Sequence, residues 1–120
     1  MTVTVDSYNL KCKRATDALV LIAKDWEKWS DGTVTLKRRV DAAKGLWSFN
    51  LFEHDVSWTS SAAKYLRDMA KSGGTVVLAV NEGDRFSLNS TSCYVVAVST
   101  EFPLTGTQNL RYFSATFREV

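Results

Sequence analysis

The chain has 120 residues, 45% hydrophobic and 23% charged, with a formal net charge of +2 at pH 7. That is the composition of one ordinary soluble domain, long enough to bury roughly two thirds of its unfolded surface. It excludes a disordered or fibrous chain, and the charge balance speaks against a dedicated nucleic-acid binder, which carries a strongly basic face.

In chain order, Thr2–Val5 reads as a short strand, and Tyr8–Lys13 continues it after a turn at Asp6-Ser7. The opening MTVTVDSYNL has neither the charged nor the apolar region of a signal peptide, so none is expected. Residues 14–17 (RATD) are polar and read as a loop. Residues 18–29 (ALVLIAKDWEKW) fit a helix or a strand, because periodicity does not separate the two in a short apolar run. A strand over about 18–24 is expected, then a turn at Lys24-Asp25, for a reason given below. Asp31-Gly32 is a strong turn pair. Thr33–Val40 follows as a strand, with Val34, Leu36, Arg38 and Val40 on one face and Thr33, Thr35, Lys37 and Arg39 on the other. Arg38 breaks the apolar face, so the strand end is polar on both sides or Arg38 is paired. After a short connection over 41–45, Leu46–Glu53 alternates, with Trp47, Phe49 and Leu51 on one side. Segments 33–40 and 46–53 are expected to form an antiparallel hairpin.

The clearest stretch runs from Trp58 to Val80. Ser60 or Ser61 suits the N-cap of a helix; Ala62, Tyr65, Leu66 and Met69 fall on one helical face, and Lys64, Arg67, Asp68 and Lys71 on the other. Lys71 stands at the negative end of the helix dipole, and Gly73 suits the left-handed residue that stops the helix. Thr75–Val80 is apolar enough to predict a central strand. Residues 81–84 read as a turn, Arg85–Leu88 as a short strand, Asn89–Ser92 as another turn, and Tyr94–Ser99 as a strand extending towards Phe102. A loop over 103–109, turning at Thr105-Gly106, leads to a last strand, Leu110–Glu119, with Phe113, Ala115 and Phe117 on one face. The pattern predicts a mainly β single domain over 1–120 with one α-helix: an antiparallel β-sandwich or barrel of about seven to eight strands.

Few residues suggest chemistry. His54 is the sole histidine, between Glu53 and Asp55, but neighbours along a strand point to opposite faces, so the three do not converge. Glu82-Gly83-Asp84 offers too few oxygens for calcium. Gly73-Gly74 follows a helix instead of opening one, so it makes no phosphate nest. Asn89-Ser90-Thr91 matches a glycosylation sequon, which occurs often by chance. Cys12 and Cys93 read as buried or incidental thiols, without the spacing of a zinc site. No catalytic, cofactor-binding or metal-binding residue is expected, and no enzyme. Lys37-Arg38-Arg39, with Lys11, Lys13 and Arg14, is the basic concentration: an edge strand protected by charge, a phosphate-contacting face, or a surface that pairs with an acidic neighbour. Trp26, Trp29, Trp47 and Trp58 admit a second reading, a small monomeric β-sandwich that stacks carbohydrate on exposed rings; Trp47 reads as core.

The run from Leu19 to Glu53 resembles the opening of bacteriophage tail proteins with a tail-tube-like fold, of the baseplate hub and distal tail type. The residues that carry the likeness are Trp29, Val34, Leu36, Arg38, Val40, Asp41, Phe49 and Leu51, and the closing RYFSATFREV is similar to the last strand of many small tail proteins. This resemblance is why 18–24 is read as a strand. It implies a β-sandwich or barrel flanked by one helix, a structural role in the virion, assembly with itself in a cyclic homo-oligomer, a hexamer foremost, and contacts with other tail proteins. It implies no cofactor, no membrane, and contact with nucleic acid only indirectly, through lining a tail channel. No apolar run reaches the ~20 residues of a membrane helix.

Overall fold

The computed structural model describes residues 1–20, 23–30, 33–40, 43–101 and 110–120. Its elements are β1 (Thr2–Val5), β2 (Tyr8–Val20), β3 (Ala23–Ser30), β4 (Thr33–Val40), β5 (Lys44–His54), α1 (Ala62–Ser72), β6 (Thr75–Asn81), β7 (Ser87–Glu101) and β8 (Leu110–Glu119). Six of these strands close an antiparallel barrel in the order β1-β2-β5-β8-β7-β6, and β3 and β4 form a separate two-stranded ribbon. The barrel form of the expected β architecture is therefore the one adopted, with a smaller ring of strands than the total count suggested.

The barrel follows from period-two alternation. Val3 and Val5, Leu10 and Cys12, Trp47, Phe49 and Leu51, Val76, Leu78 and Val80, Cys93 and Val95, and Phe113, Ala115 and Phe117 are all buried, while most of the residues between them are not. Phe49 and Phe117 meet at a centroid distance of 5.9 Å and 55° between ring planes, near the centre of this core. Thr75–Val80 is only half of what its composition promised: Val76, Leu78 and Val80 point inward, whereas Val77 is exposed. A strand in a small barrel has one wet face, however apolar its sequence.

Three expectations about the first half are corrected. Arg14–Asp17 is not a loop but part of β2, and Lys24-Asp25 is not a turn but lies within β3. The hairpin of β4 with β5 does not exist: β4 pairs with β3, and β5 pairs with β2 and β8. The first leg is β2 with β3, and the second is β4 with β5. Ser30 faces Thr33, Ala23 faces Val40, Val20 faces Lys44 and Lys11 faces Phe52. A bulge between Cys12 and Arg14 puts one extra residue on the first leg. From Val20↔Lys44 to Ala23↔Val40 the first leg advances three residues and the second four, which restores the balance. The expected turn at Asp31-Gly32 lies outside the described residues; Ser30 and Thr33, on either side of it, are paired.

In the second half, the expected turn at Asn89–Ser92 is also corrected. Ser87–Glu101 is one strand, and its polar cluster is absorbed by a register shift against β6 between Leu78 and Val80, where Ser90 takes φ +37°. A second irregularity, between Val95 and Ala97, turns Val96 outward. The expected loop over 103–109, its turn at Thr105-Gly106, and Phe102 lie outside the described residues.

The helix forms where its caps predicted. Ser61 is the N-cap, its hydroxyl accepting from the amides of Ala63 and Lys64; Gly73 ends the helix with φ +71°. A single 3-10 turn, Trp58–Ser60, precedes it. Ala62, Ala63 and Leu66 are buried, and α1 packs mainly against β7. Tyr65 lies against Tyr8, with ring centroids 5.0 Å apart, and its hydroxyl donates to Asp6 Oδ2. That hydrogen bond to a carboxylate, and then burial, push the Tyr65 phenol up to about 12. Asp6, at φ +51° in the β1–β2 turn, also accepts from the Val77 amide at 2.8 Å, so one carboxylate joins the turn, the helix and β6.

Candidate assembly surface

The feature that distinguishes this chain from a plain barrel is its arm. The principal extents are 70 × 36 × 21 Å and the radius of gyration is 18.5 Å, against about 14 Å for a compact chain of this length. Strands β3 and β4 pair with each other and, among the described residues, with no other strand. A lone two-stranded ribbon is marginal in water. Its register sets Trp29 across from Val34, Glu27 from Leu36, Asp25 from Arg38 and Ala23 from Val40 on one face. Arg38, ambiguous in the sequence, thus stands opposite an acidic residue.

The barrel end at the base of the arm is built around Trp47. This residue faces Asp17 across β2 and Phe117 across β8. Its ring is buried, and its indole N–H donates to Asp17 Oδ1 at 2.5 Å. The ring folds back over Gly45, where an added Cβ would stand 2.2 Å from Trp47 Cζ2. The Gly45 amide donates to Glu119 Oε1 at 3.3 Å. We expect Gly45→Ala to expel the ring, costing about 1–3 kcal/mol as an overpacked core does; a lowered urea midpoint with a shifted Trp47 indole N–H resonance checks this. Beside this closed end Leu19, facing Gly45, is 76% exposed, the most exposed large hydrophobic residue described. Val96, Val77 and Tyr112 are other exposed apolar side chains on the barrel wall.

At the far end of β5 a polar knot fastens the helix. The Glu53 carboxylate accepts from Ser61 Oγ and Arg111 Nη1 through Oε1, the latter at 2.6 Å, and from the Ala62 amide through Oε2 at 3.1 Å. Arg111 also donates to the Val56 carbonyl and lies over the Trp58 ring, 5.2 Å from its centroid. Every group here is matched to another, which describes a structural joint. Glu53 continues the inward alternation of Trp47, Phe49 and Leu51 on β5, and that alternation is the signal by which its burial could have been read.

The residues weighed for chemistry are dispersed. His54 and Asp55 do meet, Nδ1 to Oδ2 at 2.9 Å, because Asp55 leaves the strand at φ +54°; both are exposed, and Glu53 points the other way into the knot. Cys12 and Cys93 are buried free thiols; burial raises both, Cys93 to about 11. Glu82 pairs with the terminal ammonium at 3.4 Å. Among the described residues no group of three His, Cys, Asp or Glu could hold a metal ion. Trp47 is core, which removes it from any sugar platform. No family model matches the chain, and no curated protein matches it. Among the described residues, no helix is long and apolar enough to cross a membrane.

Proposed function

We propose that this chain is a structural virion protein of a bacteriophage tail, a ring-forming subunit of the distal tail, baseplate or tail-tube type that joins tail parts by contact and catalyses nothing. The observation that carries the assembly half of this reading is the arm: a two-stranded ribbon, apolar at Ala23, Trp29, Val34, Leu36 and Val40 on one face and preceded in the chain by an exposed Leu19 near the end of β2. Such a ribbon gains stability when a second surface covers that face. The barrel itself needs no such help, since closure leaves it no edges; the need for partners rests with the arm. A second copy supplies the cover in a closed cyclic arrangement, the usual form of a homo-oligomer. The tail assignment rests on the resemblance in Leu19–Glu53 and in the closing strand.

Light scattering of the purified chain at micromolar concentration is expected to show a closed oligomer, six-fold in this reading. Leu19→Asp should shift it to monomer while leaving the thermal midpoint of the barrel within a few degrees. A wild-type chain that stays monomeric, alone and with the products of flanking genes, overturns the proposal. Flanking genes unrelated to tails would remove the tail assignment while leaving assembly intact.

A further inference from the structure

The opposite face of the arm has a different character. Strands β3 and β4 carry Lys24, Lys28, Lys37, Arg38 and Arg39 against Asp25 and Glu27. Strand alternation and the register divide these charges. Arg38 and both acids fall on the face of Ala23, Trp29, Val34, Leu36 and Val40; Lys24, Lys28, Lys37 and Arg39 share the other face with Trp26 and, among the described residues, with no acidic residue. Lys24 stands opposite Arg39, and Trp26 opposite Lys37. The small net charge of the whole chain hides this segregation.

We propose that this face binds nucleic acid through its phosphate backbone. A two-stranded ribbon is narrow enough for the major groove of a duplex, and cations on one face with an aromatic residue also suit a single strand, whose bases stack on rings. The shared chemistry is a run of phosphates neutralised by four cations. No base is read, so binding is independent of sequence and strongly dependent on salt. This inference stands apart from the assembly reading, which uses the other face.

The test is fluorescence anisotropy of the full chain with a labelled oligothymidylate and a labelled duplex of mixed sequence, titrated at several salt concentrations. Four phosphate contacts predict a slope of log affinity against log salt of roughly −3.6 for the duplex and −2.8 for the single strand. Affinity should fall about 50- to 150-fold for a fourfold rise in salt. Stronger binding of the single strand would assign Trp26 to stacking; stronger binding of the duplex would assign the ribbon to a groove. Replacing Lys24, Lys28, Lys37 and Arg39 by alanine should flatten the slope. Exchanging lysine for arginine and arginine for lysine at the same four positions should keep it, which separates lost charge from a lost arm. Arg67→Ala with Lys71→Ala, on the helix, should keep it too. Repeating the titration with Leu19→Asp separates the outcome from any failure to assemble. Absence of binding to either probe at low salt overturns the proposal, as does an unchanged slope in the four-alanine variant. Salt-sensitive self-association without nucleic-acid binding overturns it as well and assigns the face to a second copy.

Discussion

Replacing Phe117 by alanine should remove about 4 kcal/mol from a fold whose total stability is on the order of 5–15 kcal/mol. The side chain is fully buried on β8, between Trp47 of β5 and Val95 of β7 in the register, with Phe49 against its ring. A barrel wall tied by hydrogen bonds on both sides of every strand has little freedom to collapse into the space left behind, and the penalty for a large-to-small change grows with the cavity that persists. The neighbour two residues earlier is Ala115, too small to swing into the gap. The measurement is a urea titration: the midpoint should fall with an unchanged slope, and Phe117→Leu should recover more than half of the loss. A loss below about 1 kcal/mol would mean that the ring is not at the centre of the core.

The reach of the sequence depended on whether the deciding information was local. Ser61, Gly73 and the spacing of Ala62, Tyr65, Leu66 and Met69 act within one or two turns, and the helix formed where they placed it. The alternation of Trp47, Phe49 and Leu51, and of Phe113, Ala115 and Phe117, is also local, and all six are buried. Pairing is not local. The polar RATD and the DAAKG connection look like turn signals, yet the chain runs on through the first as β2, and the two legs meet across up to forty residues of sequence. Once Ser30 faces Thr33, every described pair back to Lys11↔Phe52 follows apart from one compensated bulge. Partner choice is then set by the loop that closes most cheaply, which a strand-by-strand reading does not see. The charge pattern of the arm was hidden for the same reason: Lys24, Lys28, Lys37 and Arg39 become one face only when the register is known. Asp55 is the small counterpart. Its positive φ brings it to His54, where alternation alone had kept them apart.

Arg111→Met should be nearly as costly as the loss of Phe117, for a different reason. The Glu53 side chain is 7% exposed and that of Arg111 is 18% exposed, so the pair is largely withdrawn from water. Removing the cation leaves a buried carboxylate with one hydroxyl and one amide, and breaking such a pair from one side costs about 3–5 kcal/mol. A fall of the thermal midpoint on the order of 10 °C is expected for a chain of this size. The damage should be uneven. Glu53 holds both Ser61 and the Ala62 amide, so amide exchange should quicken first in the opening turn of α1, while Phe113–Phe117 keeps its protection. The second variant decides whether the knot stabilises or specifies. Combining Arg111→Met with Glu53→Gln removes both charges and leaves an amide able to keep a hydrogen bond with Ser61 or Ala62. If the pair is expensive only when broken from one side, the double variant should recover most of the stability lost by Arg111→Met alone. If it recovers none, the ion pair itself contributes net stability to the joint between helix and barrel. The Trp58 ring, under the Arg111 guanidinium at 5.2 Å, would then be part of that contribution.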